Sequence, residues 1–184
     1  MNELSRMIGT ITVKRSIILV VIAGLMLISC VVKPEEPPEL SNEEHAVICA
    51  VLDSVMQREH PLGTIDVFDL TTTSTNCPSL YIIFERDSIG SNSLLNNYAE
   101  ANRVRYALNM DKLPDYVMLK DTEEAEPYSG YTAFTRPGIS DDGLLAIVEY
   151  SSISAPLAGC GKAALLEKRD GEWHVVWIKM IWIS

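Results

Sequence analysis

Residues 41–59 carry the hydrophobic spacing of an amphipathic helix. Ser41 and Glu44 form a capping-box pattern, which is typical of the first turn of a helix. The apolar residues that follow fall on one helical face: Val47, Ile48, Val51, Leu52, Val55 and Met56. This pattern predicts a helix from about Glu43 to Glu59, which ends before Pro61.

A second helix is predicted further along the chain. Ser91 or Asn92 can cap it, and the apolar face that follows runs to about Leu108. Beyond that point prolines and glycines break the pattern into short extended pieces, of which 116–119 and 131–134 could pair as strands.

The C-terminal part has the clearest strand pattern. Leu144–Ile153 and Ala163–Lys168 are predicted strands separated by a loop, and Asp170-Gly171 is a two-residue hairpin signal before Trp173–Ile183. In the last strand both alternating sets of side chains are apolar, which is typical of a strand that is covered on both faces or twisted so that its faces exchange. These elements predict an α+β domain with one antiparallel sheet, two helices packed on a face and a C-terminal three-strand meander.

The N-terminal residues have the pattern of an export signal. Arg6, Lys14 and Arg15 precede an uninterrupted apolar run, Ile17–Ile28. A helix of that length spans about 18 Å, which is short for a hydrocarbon core of about 30 Å. The length therefore favours a secretory signal over a transmembrane helix.

The run ends in Leu27-Ile28-Ser29-Cys30, which resembles the lipobox of bacterial lipoproteins. The resemblance implies that the chain is cut before Cys30, and that the Cys30 thiol is diacylated and becomes the first residue. The alternative is an uncleaved signal anchor in which Cys30 is one more apolar residue. Lipid chains anchor a protein because each buried methylene contributes about 0.8 kcal/mol.

This processing divides the chain into a signal peptide (1–29), a lipidated Cys with a tether rich in proline and glutamate (30–40) and one folded domain (41–184). The prolines of the tether favour extended conformations. Val31 rather than Asp follows Cys30, which resembles lipoproteins sent to the outer membrane. We therefore expect a lipid-anchored protein of the bacterial cell envelope, on either its periplasmic or its surface face.

The negative net charge of the chain disfavours two classes of partner, namely nucleic acids and anionic lipids. The full chain has 25 acidic and 15 basic side chains, and its formal net charge is -10. Removal of 1–29 leaves 24 acidic and 12 basic side chains, and a net charge of -12. Nucleic-acid binding is not expected, because affinity for phosphates comes from clustered Lys and Arg. The acidic domain is also repelled by anionic lipids, so the acyl chains are the expected contact with the membrane.

Residues 137–184 resemble the end of a group of small, uncharacterised secreted bacterial proteins. The resemblance lies in five short segments: Pro137-Gly138-Ile139-Ser140, Gly159-Cys160-Gly161, Leu165-Leu166-Glu167-Lys168, Gly171-Glu172-Trp173 and Trp182-Ile183-Ser184. It implies a shared fold and an exported setting. It carries over no activity, substrate or catalytic residue.

Three cysteines remain after lipidation. Cys77 and Cys160 lie in predicted loops beside strands and could form a disulfide, with three free thiols as the alternative, while Cys49 is expected to be buried. No Cys or His pair has metal-ligand spacing. Gly159-Cys160-Gly161-Lys162 lacks the first glycine and the Ser or Thr of a phosphate loop, and it is predicted to be a tight turn. Neither a metal nor a cofactor is expected.

The sequence contains none of the local motifs that frame a nucleophile or a catalytic metal, such as Gly-x-Ser-x-Gly or HExxH. This favours a binding domain without chemistry of its own, with a protein or a small ligand as its partner. Tyr116, Tyr128, Tyr131 and Phe134 are the candidate contacts, since aromatic side chains supply contact area at low entropic cost. The alternative is that these aromatics close the open end of the sheet.

The alternative function is a small periplasmic or surface hydrolase that uses His60 or His174 with nearby acids. It requires an imidazole within about 3.2 Å of both a nucleophile and a carboxylate. The third histidine, His45, is predicted to lie at the exposed start of the first helix.

Overall fold

The capping box predicted at the first helix is confirmed in the computed structural model, which describes residues 36–59, 63–73, 80, 92–122, 130–155 and 158–184. The Ser41 backbone N–H donates to Glu44 Oε2 over 2.8 Å, and the Glu44 N–H donates to Ser41 Oγ over 3.2 Å. These reciprocal bonds satisfy two donors that a helix start otherwise leaves unpaired. Helix α1 follows as Asn42–Glu59.

Residues Pro37–Ser184 fall into one compact unit. Its other elements are α2 (Asn92–Ala101), a 3-10 turn (Met110–Lys112) and seven strands: β1 (Ile65–Phe68), β2 (Val117–Lys120), β3 (Tyr131–Phe134), β4 (Gly138–Ile139), β5 (Leu145–Ala155), β6 (Ala158–Arg169) and β7 (Glu172–Ile183). None of the described helices has both the length and the apolar composition needed to cross a bilayer.

The seven strands form one sheet in the order β2-β1-β3-β5-β6-β7, with β4 paired to β5. The α+β class and the β5-β6-β7 meander are confirmed. The sheet is mixed rather than antiparallel throughout, because β1 pairs parallel with both β2 and β3. The two extended pieces that could pair, at 116–119 and 131–134, instead lie on opposite sides of β1. A parallel pair needs a long crossover connection, and the chain between β1 and β2, which includes α2, supplies it.

The two helices pack on opposite faces of the sheet, and the prediction that both lie on one face is wrong. Helix α1 shares a core cluster with Ala146, Val148, Ala164 and Leu166. Helix α2 packs with Ile147, Ala163 and Leu165, which alternate with those residues along β5 and β6. The physical reason is visible in the two strands, since both of their alternating sets are apolar and each set needs a cover.

Strand β7 is also apolar on both sides, and its faces exchange along its length. The pairing of β6 with β7 shifts between Leu165 and Leu166, so Val176 is an extra residue in β7. Before the shift Val175 packs on the α1 side, and after it Trp177 packs on the α2 side. The bulge thus lets one strand supply both cores.

Helix α2 ends at Ala101 rather than near Leu108. The cause is Asn102, whose side chain forms hydrogen bonds with the last turn of the helix and with the backbone of Arg136. Asn102 is fully buried. Its Nδ2 donates to the carbonyl of Tyr98 and to that of Arg136, each over 2.8 Å, and its Oδ1 accepts from the Arg136 N–H over 2.7 Å. The chain that follows is extended: Leu108 N–H donates to the Asp69 carbonyl over 2.8 Å. Residues 106–108 therefore take part in backbone pairing instead of continuing the helix.

His45 is 2% exposed, and its prediction as an exposed residue is wrong. Its Nδ1 lies 2.9 Å from the Ser41 carbonyl, and its Nε2 accepts from the Asn109 backbone N–H over 3.0 Å. The neutral tautomer with the proton on Nδ1 satisfies both contacts. The imidazole thus joins the start of α1 to the 3-10 turn, and its role is structural.

Candidate functional site

Two glycines of β6 form a flat floor for the indole of Trp182. Gly161 is the cross-strand partner of Trp182. A Cβ added at Gly161 would lie 2.0 Å from Nε1 of the indole and 2.5 Å from each carbon bonded to it, so the ring face covers the glycine. A Cβ at Gly159 would lie 3.5 Å from the far end of the same ring. A side chain at Gly161 would therefore lift the indole off the strand, whereas a Cβ at Gly159 would touch the ring at ordinary contact distance and would clash instead with Ile153 Cδ1, at 2.5 Å.

Trp182 is 41% exposed although one face of its ring rests on β6. Its indole N–H donates to none of the described residues. The ring borders a pocket of about 290 Å³ together with Thr72, Thr73, Thr135, Glu149 and Ser151. We call this the Trp182 pocket.

The pocket lies on the α2 side of the sheet. Along β5 the side chains of Glu149 and Ser151 share the face of Ile147, which packs against α2. One carboxylate oxygen of Glu149, Oε1, is buried. The hydroxyls of Thr73 and Ser151 make no hydrogen bond with a described residue, so both are available to a ligand.

Hydrogen bonds hold the pocket wall in place. Thr135 Oγ1 accepts from the Glu149 N–H over 2.9 Å, and the Thr135 N–H donates to the Glu149 carbonyl over 2.9 Å. Thr72 is joined to β3 through its N–H, which donates to the Phe134 carbonyl over 2.8 Å. Thr72 and Thr135 are therefore held by strand backbone before any ligand arrives, whereas Thr73 is exposed and belongs to no strand.

Tyr131, a predicted contact residue, lies at a neighbouring pocket of about 260 Å³, which the next residues of β3 and β5 line. Its ring stacks on Phe68 with 4.0 Å between the ring centroids. One face of the Tyr131 ring thereby packs on a partner in β1, although the residue keeps some exposure.

The other predicted contacts do not join Tyr131. Phe134 is 1% exposed and packs in the α1 core, where its ring stacks on Tyr150 at 5.7 Å, so its burial removes it from any contact surface. Tyr116 is half-buried, and its hydroxyl donates to Asp53 of α1. Burial and the hydrogen bond to Asp53 raise the pKa of Tyr116. Tyr128 lies outside the described residues.

The histidines proposed for a hydrolase are not assembled into a catalytic frame in the described part of the chain. His174 is exposed on β7 beside Glu167 of β6. Its ring makes no hydrogen bond with any described hydroxyl, thiol or carboxylate. His60 lies outside the described residues, so its part of the hypothesis stays a prediction.

Cys160 is half-buried in β6 rather than in a loop, and it forms no disulfide with a described residue. Its predicted disulfide partner, Cys77, lies outside the described residues, and the pairing stays a prediction. Cys30 also lies outside them. Among the residues described, no group of three His, Cys, Asp or Glu side chains is arranged to hold a metal ion.

Cys49 has the environment of an unreactive thiol. Its Sγ donates to the Lys112 carbonyl over 3.3 Å. Burial, helped by the negative charge of Asp53, raises its pKa from 9.0 to about 11. Because the thiolate is the nucleophile, this position suits packing rather than chemistry.

We expect iodoacetamide at pH 8 to alkylate Cys49 at least about 100-fold more slowly in the native protein than in urea, since a rise of two pKa units lowers the thiolate fraction about 100-fold. The rate at Cys49 can be followed by peptide mass spectrometry in a variant with Cys77→Ser and Cys160→Ser. Equal rates in the two states would show that the thiol is accessible and ordinary.

No protein-family model, curated protein or solved structure matches the chain. The assignment of a site therefore depends on the geometry above. Sequence reasoning missed the Trp182 pocket, because it placed Gly159 and Gly161 in a loop. The available signal was the Gly-x-Gly spacing within an apolar stretch, which in a strand marks close approach of another group.

Proposed function

We propose that this chain is a lipid-anchored protein of the bacterial cell envelope, held in the outer membrane, and that its domain binds a ligand or partner without chemistry of its own. The observation that carries the binding role is the Trp182 pocket. An aromatic ring that only covered two glycines would need no polar rim. Here the same ring borders a pocket that holds the available hydroxyls of Thr73 and Ser151.

The pocket is suited to binding because its parts are preorganised. The glycine floor fixes the plane of the indole, and strand hydrogen bonds hold Thr72 and Thr135. A ligand that enters such a site loses little free energy to the ordering of side chains. None of these described groups is arranged as a nucleophile with its base, which supports binding over catalysis.

The anchor is supported by the sequence alone. Leu27-Ile28-Ser29-Cys30 stands directly behind an apolar run of signal-peptide length, and a proline- and glutamate-rich segment separates it from the domain. A tether of this kind would hold an acidic domain away from anionic lipid surfaces.

Replacing Cys30 with serine is expected to abolish acylation and to move the protein out of the membrane fraction, because serine cannot form the thioether. Intact-mass spectrometry of protein from a bacterial host should show the native chain without residues 1–29 and with the added mass of acyl chains. Cys160→Ser, which changes a half-buried thiol of the folded domain, is the matched control and should remain acylated. A Cys30→Ser variant that matures and partitions like the native protein would refute the anchor.

A further inference from the structure

We propose that the Trp182 pocket binds a neutral sugar ring, with the C–H face of a pyranose stacked on the indole and the sugar hydroxyls bonded to the polar rim. This inference rests on the proposed binding function and names the class of ligand. It is carried by the joint placement of an exposed, fixed indole and available hydroxyl groups around one small pocket.

The indole supplies the stacking surface. Its π face is electron-rich, so it attracts the weakly positive C–H groups that a pyranose with equatorial hydroxyls directs to its faces. The floor formed by Gly159 and Gly161 fixes the ring plane without a side chain in between. The ring therefore presents a flat platform before the ligand binds.

The rim matches a polyhydroxyl ligand. Thr73 and Ser151 each offer a hydroxyl that can donate and accept, and the Trp182 N–H can donate. Sugar hydroxyls need this mixture of donors and acceptors. The volume of about 290 Å³ is close to the lower limit of about 300 Å³ for ligand pockets, which suits one ring rather than an extended chain.

The same groups fit an organic cation less well. A quaternary ammonium is held by a cage of several aromatic faces. Trp182 supplies the indole here, whereas the ring of Tyr150, whose residue also borders the pocket, stacks on Phe134 in the α1 core. A site with one aromatic face and several hydroxyls favours a neutral ring.

The test is an NMR titration of the full mature protein that follows the indole N–H resonance of Trp182, assigned with a Trp182→Phe variant. The probes are N-acetylglucosamine, methyl β-glucoside and methyl β-galactoside. We expect at least one of them to shift this resonance saturably, with a Kd in the millimolar range. Binding to Trp182→Ala, which lacks this resonance, is followed through the backbone amide resonances of the pocket residues Thr135 and Ser151. It should be about tenfold weaker or more, through loss of the stacking surface.

Two further variants test whether a loss of binding comes from the position of the indole or from any change in β6 or β7. Gly161→Ala places a Cβ where the indole lies and should also weaken binding, while the strand keeps its backbone pairing. Met180→Ala is the control, because Met180 is an apolar residue of β7 that is also exposed and does not border the pocket; this variant should bind sugar like the native protein.

The outcomes distinguish the sugar from the wider proposal. Tetramethylammonium is the competing probe: if it shifts the Trp182 resonance and the sugars do not, the sugar inference is wrong and a binding role for the pocket stands. If no probe shifts the resonance at tens of millimolar, or if Trp182→Ala binds sugar unchanged, the sugar inference is also overturned. The anchor is decided separately by the Cys30→Ser experiment.

Discussion

Replacing Asn102 with alanine is expected to lower the free energy of unfolding by about 2–4 kcal/mol, because each buried group left without its hydrogen bond costs about 1–3 kcal/mol. The change removes three hydrogen bonds from a fully buried position. It leaves the N–H and the carbonyl of Arg136 without the partner that the Asn102 side chain supplies. Urea denaturation followed by circular dichroism measures the loss.

The matched control is Asn96→Ala, an exposed position in the same helix. This change raises helix propensity and removes no hydrogen bond between described residues, so the urea concentration at the midpoint of unfolding should stay the same or rise slightly. If Asn102→Ala unfolded at the same urea concentration as Asn96→Ala, the hydrogen bonds of the Asn102 side chain to Arg136 would not contribute to stability. Asn102→Asp is a second variant, which keeps an acceptor for the Arg136 N–H and loses the two donors.

Asn102 also shows why one helix boundary could be predicted from the sequence and another could not. The start of α1 is encoded locally, because Ser41 and Glu44 satisfy each other's backbone groups within one turn. The end of α2 depends on Arg136, which lies 34 residues further along the chain. Local periodicity continues toward Leu108, yet the long-range bonds of Asn102 decide where the helix stops.

The same difference between local and long-range signals decides which parts of the sheet could be predicted. The meander β5-β6-β7 was predictable, since its strands are consecutive and Asp170-Gly171 marks a hairpin. The structure agrees, with φ of 54° at Asp170 and 87° at Gly171. The parallel pairing of β1 with β2 joins Ile65 to Val117, and no local signal reports such a contact. The apolar faces of β7 predicted a strand that is either covered on both faces or twisted so that its faces exchange, and the bulge at Val176 exchanges them; the pattern could not tell which helix each part of the strand meets.

The candidate site was the least predictable part. Aromatic composition pointed to Tyr116 and Phe134, which the fold uses for a hydrogen bond to α1 and for the core. Trp182 belongs to a strand whose two alternating sets of side chains are both apolar, so the pattern does not show which of these side chains is exposed. Only the register of β6 with β7, which sets Trp182 over Gly161, shows that the ring lies at the surface beside a pocket.

Arg136 is the second position where a large effect is expected, because it neutralises a buried carboxylate. Glu44 is 5% exposed, and its Oε1 accepts from Arg136 Nε. The guanidinium also lies over the ring of Tyr106, 3.8 Å from its centroid. Burial alone would raise the pKa of Glu44, but the bonds from Arg136 and Ser41 outweigh it and hold the pKa below its usual 4.5.

Arg136→Ala should therefore lower the free energy of unfolding at pH 7 by about 3–5 kcal/mol, the usual cost of leaving one member of a buried ion pair without its partner. Arg103→Ala is the matched control. Arg103 pairs with Glu100 at 2.5 Å, but both side chains are exposed, so the loss should be about 1 kcal/mol or less. Similar losses for the two variants would show that the Glu44 pair is no stronger than a surface pair.

The effect of Arg136→Ala should also depend on pH with a definite sign. In the native protein the folded pKa of Glu44 is below the unfolded value, so the stability it contributes is complete above about pH 4.5 and is lost as the pH falls through the folded pKa. Without Arg136, burial dominates and Glu44 takes up its proton at a higher pH, where the neutral form no longer needs a counter-charge. The gap between native and variant urea midpoints should thus narrow from pH 7 toward pH 4, and a gap that stayed constant would place the loss in packing against Tyr106 instead of in the charge of Glu44.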